Sequence, residues 1–143
     1  MQLNIHLSIL NDFSEYPKLR YCSLSEDSAE KFYHEKLNAA FEDAYSKKII
    51  LVVNIDYTAG YTSSFLDEAF GNLVYDFGLN LVKDFLKIIS EDEPYWIDMI
   101  ANETFPQWEE RRKKGQEPKK TCIHSPWVRI INNISEKKIW NYV

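Results

Sequence analysis

The stretch Ile49-Ile50-Leu51-Val52-Val53-Asn54-Ile55 decides the fold, because it is the most β-branched run in the chain. Its apolar residues do not alternate with polar ones, so both faces of the strand should be buried. A strand buried on both faces is typical of the centre of a sheet that is covered by helices. The stretch therefore predicts an α/β fold with residues 49–55 as its central strand.

The segments on either side of this strand alternate between strand and helix patterns. Leu3, Ile5 and Leu7 alternate with polar residues, which predicts an N-terminal strand. Apolar residues recur at helical spacing over 32–45 and again over 65–74, which predicts two amphipathic helices. The remaining predicted elements are a short strand at 19–24, a strand at 85–89 and a helix around 96–100 that Pro106 interrupts. Together they predict a mixed sheet of about four strands with helices packed on it.

Capping residues mark the ends of these helices. Ser25 and Asp27 are candidate N-caps of the first helix, and Glu30 follows Asp27 by three residues as in a capping box. Gly78 lies where a glycine that ends the second helix is expected. The helices therefore have defined starts and stops in the sequence itself.

Charge divides the chain into two parts. The 143 residues fit one domain, and their formal net charge is −5. Through Glu110 the chain has 8 basic and 20 acidic residues, a net charge of −12, whereas the rest has 9 basic and 2 acidic residues, a net charge of +7. The negative net charge of the chain argues against nucleic-acid binding, because phosphates are neutralised by Lys and Arg. The division predicts a domain over 1–110 and a C-terminal extension over 111–143.

The extension begins with a strongly basic segment. Residues 111–120 contain six Lys or Arg and no aliphatic or aromatic side chain, which predicts an exposed loop or a frayed helix end. This segment could contact nucleic acid or dock on an acidic partner. The favoured interpretation is that it remains solvated or contacts the acidic domain of the same chain, since no aromatic residues are interleaved. Apolar residues return after 122, so we expect the extension to pack on the domain through Trp127, Ile130 and Trp140.

The sequence offers no signal for membrane insertion or secretion. Its first residues lack the apolar core of a signal peptide, and no apolar run approaches the ~20 residues of a membrane span. We therefore expect a cytoplasmic protein that does not contact a membrane. Cys22 and Cys122 should then be reduced thiols, with a disulfide between them as the less favoured alternative.

Motifs for cofactor or metal chemistry are not found in the sequence. His6, His34 and His124 are far apart and do not match the ligand spacing of a metal site. The four glycines do not form a phosphate-binding or dinucleotide-binding motif. We therefore expect no metal, no cofactor and no catalytic residue.

Hydroxyl groups stand where the central strand leads into the second helix. The carboxyl end of a central strand is where α/β folds place ligands, and a helix N-terminus favours an anion. The hydroxyls predict either a functional site or a simple N-cap, and spacing alone favours the cap. The candidate residues for binding or phosphorylation are Ser63, Ser64 and Thr62, with Asp56, Asp67 and Glu68 in support.

The same helix carries a longer motif. The run Ser63-Ser64-Phe65-Leu66-Asp67-Glu68-Ala69-Phe70-Gly71-Asn72-Leu73, after the strand Leu51–Asp56, resembles the signature of the STAS-like domain family of unknown function. That family is similar to STAS domains, which are named for sulphate transporters and anti-sigma factor antagonists. The resemblance covers residues 1–105 and implies a STAS-like α/β domain.

The resemblance also implies a function. In anti-sigma factor antagonists, a Ser or Thr at the start of this helix is phosphorylated by a histidine-kinase-like ATPase, and phosphorylation controls which partner binds. Ser63 matches that position best, although Thr62 replaces the Asp of the antagonist pattern and Phe65-Leu66 occupy its Gly region. We therefore expect a non-enzymatic regulatory module of protein–protein interaction. The alternative is a small anion or nucleotide binding module at the same helix N-terminus, and an enzyme is the least favoured interpretation.

Overall fold

A parallel sheet lies at the centre of the computed structural model, which describes residues 4–139. Its strands are β1 (Ile5–Ser8), β2 (Leu51–Asn54) and β3 (Leu86–Ile89), in the order β1-β2-β3. Leu51 is aligned with Ile5 on one side and with Leu86 on the other. The predicted central strand is confirmed, since β2 is paired on both edges and Leu51, Val52 and Val53 are buried. The α/β class is confirmed with it.

Seven helices surround this sheet in the described part of the chain. They are α1 (Ile9–Asp12), α2 (Ala29–Phe32), α3 (Asn38–Lys47), α4 (Ser63–Phe77), α5 (Leu79–Phe85), α6 (Tyr95–Met99) and α7 (Phe105–Lys114). A π-helical turn, Tyr33–Leu37, joins α2 to α3, and a second, Ile100–Thr104, joins α6 to α7. Each pair therefore forms one continuous helical rod.

Two details of the helix predictions are wrong for local reasons. Pro106 does not end its helix, because the helical backbone runs through it from the π-helical turn Ile100–Thr104, in which the Phe105 N–H bonds to the Ile100 carbonyl, into α7. The first helix is capped by Ser28, whose Oγ accepts from the Lys31 N–H, rather than by Ser25 or Asp27. In contrast, α4 ends at Gly78 as predicted, and the positive φ of 83° at this position is one that residues with a Cβ rarely adopt.

The predicted strand at 19–24 is a loop. The carbonyl groups of Leu19 and Arg20 accept hydrogen bonds from the N–H groups of Ala29 and Glu30, at 2.8 and 3.0 Å. These bonds satisfy orphan N–H groups at the start of α2, so they are not free for a sheet. The loop therefore serves the helix that follows it.

A separate two-stranded sheet follows α7. Strands β4 (Trp127–Ile131) and β5 (Ile134–Lys138) are antiparallel and joined by Asn132 and Asn133, with φ values of 51° and 64°. Asn tolerates these left-handed conformations, which two-residue hairpin turns require. The described strands thus divide into sheets of three and two, so the single mixed sheet of about four strands is not what forms.

Helix α4 is the centre of the packing. Nearly all of its residues from Phe65 onward are buried. Gly71 lies against the Trp108 ring of α7, and a Cβ at this position would stand 2.1 Å from Trp108 Cε2. The contact between α4 and α7 therefore requires glycine here.

Residues of the extension lie on α3 and α4. Val128 in β4 is buried, and its N–H and C=O pair with the Asn38 side chain at 2.9 Å each. Trp127 is buried and Ile130 half-buried, while Trp140 lies outside the described residues. Among residues 4–139, no helix is both long enough and apolar enough to cross a membrane.

Candidate functional site

The start of α4 is capped by a side chain of the predicted site. Thr62 Oγ1 accepts a hydrogen bond from the Phe65 N–H at 3.2 Å, and the hydroxyl donates to the Lys18 carbonyl. Both bonds hold the Thr62 hydroxyl in the N-cap geometry. Of the three candidate hydroxyls, Thr62 therefore has a structural role at the helix start.

Ser63 and Ser64 present their side chains differently. Ser63 is the first residue of α4 and is exposed, whereas Ser64 is half-buried. Ser63 borders an open groove of about 260 Å³. The other residues that line this groove are Arg20, Asp67, Met99, Glu103, Thr104 and Gln107. Ser63 thus has the most accessible hydroxyl of the predicted site.

Charges in this groove are largely paired. Arg20 Nη1 donates to Asp67 Oδ2 and to Glu68 Oε1, both at 2.9 Å. Two carboxylates share one guanidinium, and Glu103 adds a third acid to the groove lining. A free anion would meet this negative charge at the helix N-terminus. The surroundings of Ser63 therefore favour contact with a partner surface that carries both positive and negative groups over binding of a small anion.

Asp56 does not join the helix start. Its carboxylate accepts from the Glu91 N–H at 2.7 Å, the Ser90 hydroxyl at 2.9 Å and the Asp92 N–H at 3.1 Å. Burial alone would raise the pKa of Asp56, but these donors outweigh it and lower the pKa below 3.8. Asp56 therefore caps the loop after β3, whereas Asp67 and Glu68 do meet Arg20 beside Ser63.

A group of cysteine, histidine and carboxylate side chains lies where the extension returns to the domain. We call Cys22, Glu30, Cys122 and His124 the Cys–His cluster. His124 Nε2 lies 2.5 Å from Glu30 Oε2 and 4.0 Å from Cys22 Sγ. Both cysteines are free thiols. The Cys122-x-His124 spacing was the only trace of this cluster in the sequence, since its other members are about a hundred positions away.

Glu30 is the best-held carboxylate of this cluster. It accepts from the Cys22 N–H at 3.2 Å and from the N–H and hydroxyl of Thr121 at 2.9 and 2.6 Å. Burial acts to raise the pKa of Glu30, but its hydrogen bonds with His124 and Thr121 hold that pKa well below its usual range. The Cys22 thiol is affected in the opposite sense, since burial and the neighbouring Cys122 thiol raise its pKa to about 12. The cluster therefore contains a firmly held carboxylate and a protonated thiol.

A buried ion pair ties the extension to the second half of α4. Arg129 Nε donates to Asp76 Oδ1 at 2.7 Å, and the Tyr33 hydroxyl donates to Asp76 Oδ2 at 2.5 Å. Arg129 also forms a two-pronged bond with Glu117, at 2.6 and 3.0 Å. Asp76, Tyr33 and Arg129 are all buried. No local pattern indicated this pair, because 53 positions separate Asp76 from Arg129.

A second polar chain runs beside this ion pair. Lys120 Nζ donates to Asn72 Oδ1 at 2.9 Å, and Asn72 Nδ2 donates to Glu68 Oε2 at 2.8 Å. Since Glu68 also accepts a hydrogen bond from Arg20, this series of hydrogen bonds connects the extension to the groove beside Ser63. Two cations of the basic segment and the hairpin, Lys120 and Arg129, thus lie against polar groups of α4.

Comparison with known proteins gives one match. Residues 28–96 match the model of a family described as a STAS-like domain of unknown function. The matched residues run from the N-cap of α2 to the start of α6 and include β2, α4 and β3. No curated protein and no solved structure gives a significant match.

Proposed function

We propose that the protein is a non-enzymatic regulatory module that binds a protein partner, because residues 28–96 match the model of a family described as a STAS-like domain of unknown function. The contact surface is the start of α4 together with the groove beside it. The observation that carries this proposal is the exposure of Ser63 at the first position of α4. A side chain at this position is free to meet a partner, whereas Thr62 beside it is held in the cap.

The partner that the STAS-like resemblance supports is a histidine-kinase-like ATPase. Phosphorylation of Ser63 would place a doubly charged group at the N-terminus of α4, where the helix dipole favours it. Asp67 would repel the same group, and Arg20 would be drawn away from Asp67 towards it. The modification would therefore rearrange the Arg20–Asp67 pair at 2.9 Å and change the surface that the partner recognises.

Intact-mass measurement tests the phosphorylation step. The chain is incubated with ATP and a histidine-kinase-like ATPase of the same organism, and we expect the mass of one phosphate to be added. Ser63→Ala should lose the adduct, while Ser64→Ala should keep it, because Ser64 is half-buried. An adduct that persists in Ser63→Ala would remove Ser63 from the proposal.

Titration calorimetry tests the binding surface without phosphorylation. We expect Ser63→Asp to weaken binding of the ATPase, because it adds negative charge next to Asp67. Ser46→Asp is the matched control, since Ser46 is exposed on α3. Titration with nucleotide alone examines the alternative of a small-ligand module, for which nucleotide would bind without the ATPase and Ser63→Asp would abolish that binding.

A further inference from the structure

The Cys–His cluster has the donor atoms of a zinc site. One thiol of Cys22, one carboxylate oxygen of Glu30 and one ring nitrogen of His124 all lie within 4.8 Å of one another. Thiolate sulfur, imidazole nitrogen and carboxylate oxygen are the ligand types that Zn²⁺ takes in proteins. The Cys122 thiol is a hydrogen-bond neighbour of the Cys22 thiol, and the two lie 3.9 and 3.6 Å from the Thr121 hydroxyl. Three donors therefore lie within reach of one ion, and Cys122 stands beside them as a candidate for the fourth position.

The spacing of these donors is close to that of a tetrahedral site. With bonds of about 2.0–2.3 Å to the metal, neighbouring ligand atoms stand roughly 3.3–3.6 Å apart. Cys22 Sγ and His124 Nε2 are 4.0 Å apart, and His124 Nε2 and Glu30 Oε2 are 2.5 Å apart. A change of roughly 1 Å or less in each of these two distances would bring the atoms to the spacing of ligands around one ion. A bound cation would lengthen the contact between His124 Nε2 and Glu30 Oε2, which is shorter than the spacing of ligands around a metal.

The residues behind the donors hold them in place. Glu30 is fixed by the Thr121 hydroxyl and by the Cys22 and Thr121 N–H groups, as described above. The His34 ring stacks on the His124 ring, with centroids 3.9 Å apart and planes 12° apart. Such outer contacts orient metal ligands in proteins, so the cluster is organised before any ion arrives.

An ion could reach the cluster from solvent. A cavity of about 310 Å³ opens beside it. The cavity is lined by Cys22, Glu26, Lys31, Glu35, Cys122, Ile123 and His124. Three of the four donors therefore face a space large enough for a hydrated cation. An entry path of this kind is one of the requirements of a metal site.

We infer that the Cys–His cluster binds Zn²⁺ through Cys22, Glu30 and His124, with Cys122 as the fourth donor. The ion would join the loop before α2 to residues 121–124, and so would fasten the extension to the domain. Only Glu30 lies within the residues that match the STAS-like family, so the site is a property of this chain's flanking segments. The inference is independent of the partner proposed for Ser63.

Zinc affinity tests this inference directly. The reduced full-length chain competes for Zn²⁺ with a chromogenic chelator, and we expect one ion per chain. Cys22→Ser and His124→Ala should each weaken binding by about 100-fold, because each removes a ligand. His6→Ala and Glu110→Gln are matched controls, since both residues are exposed and neither lines the cavity or is a donor, and both variants should bind as the unchanged chain does. Absence of binding at one ion per chain overturns the inference.

Cobalt spectra report whether the cysteines ligate the metal, and thermal unfolding reports whether the variants are still folded. Co²⁺ should give a thiolate charge-transfer band in the near ultraviolet that Cys22→Ser and Cys122→Ser each weaken. In EDTA, these variants should melt close to the unchanged chain, because Ser is nearly the size of Cys. Zn²⁺ should raise the Tm of the unchanged chain but not of Cys22→Ser, and Mg²⁺ should raise neither. A cobalt band that both cysteine substitutions leave intact, or an equal Tm gain in Cys22→Ser, refutes the site.

Discussion

The two ends of helix α4 face different surroundings. At its start, Ser63 is exposed and Ser64 half-buried, beside an open groove. In its second half, Asn72 and Asp76 are 1% exposed and hydrogen-bonded to Lys120 and Arg129 of the extension. Polar groups at the buried end already have internal partners, so they stabilise the fold. The accessible hydroxyl at the exposed end is the one available to another molecule.

The largest effect is expected at the buried end. Asp76→Ala should lower the free energy of unfolding by about 3–5 kcal/mol, because it leaves the Arg129 charge buried without its inner partner. The Tyr33 hydroxyl would lose its acceptor as well. Urea unfolding followed by circular dichroism measures the change.

Glu117 provides the matched control for Asp76. It binds the same guanidinium, but its side chain is 61% exposed, against 2% for Asp76. Glu117→Ala should therefore cost less than about 1 kcal/mol, as exposed ion pairs do. If the two substitutions cost the same, burial does not distinguish the two ion pairs, and the contrast between the ends of α4 fails.

The middle of α4 should tolerate no side chain facing α7. Gly71→Ala would place a methyl group 2.1 Å from Trp108 Cε2, so we expect a loss of about 2–3 kcal/mol from overpacking. The same substitution should cost less in a Trp108→Leu background, where the ring is absent. A double-mutant cycle of unfolding free energies measures this coupling, and additive losses would show that Gly71 and Trp108 do not oppose each other.

A substitution of Asp56 tests whether the residue after the central strand stabilises the fold, as the buried polar groups of α4 do, or leaves stability unchanged, as we expect of the exposed Ser63. Asp56→Asn should cost about 1–2 kcal/mol near neutral pH, because the carboxylate holds three donors of the 90–92 loop. Its pKa is lowered in the folded chain, so its contribution is present above pH 3.8 and is lost as the pH falls through the folded pKa. Unfolding curves of both proteins should therefore converge in acid. A difference that persists there would mean that the charge is not what stabilises the loop.

Local patterns in the sequence predicted the parts of the fold that depend on local chemistry. The β-branched run predicted β2, and the helical spacing of apolar residues predicted α4 together with its end at Gly78. The second sheet was missed although Asn132 and Asn133 are typical of a hairpin turn, because the apolar residues around them were interpreted only as a packing surface. The prediction for Pro106 failed because the helical backbone continues through the proline after the π-helical turn Ile100–Thr104, and the spacing of apolar residues does not indicate such a turn.

The polar clusters could not be predicted because their members are distant in the chain. Glu30 and His124 are 94 positions apart, and both residues also had simpler interpretations. Glu30 fitted a capping box after Asp27, while the spacing of the histidines argued against a metal site. The predicted hydroxyls, by contrast, are neighbours in the sequence at one helix start. The sequence therefore predicted where they lie, and only the structure shows that Thr62 is the N-cap and that Ser63 is exposed.

Thr62 and Ser63 make the sharpest comparison at the exposed end, since they are adjacent hydroxyls with different contacts. Thr62→Ala should cost about 1 kcal/mol of unfolding free energy, because the Phe65 N–H loses its cap. Ser63→Ala should change stability by less than about 0.5 kcal/mol, as expected for an exposed side chain. Ser63→Ala should nevertheless be the variant that loses the phosphate adduct. Equal stability losses for the two variants would mean that Ser63 also has a structural role, and then its exposure would no longer argue for a partner.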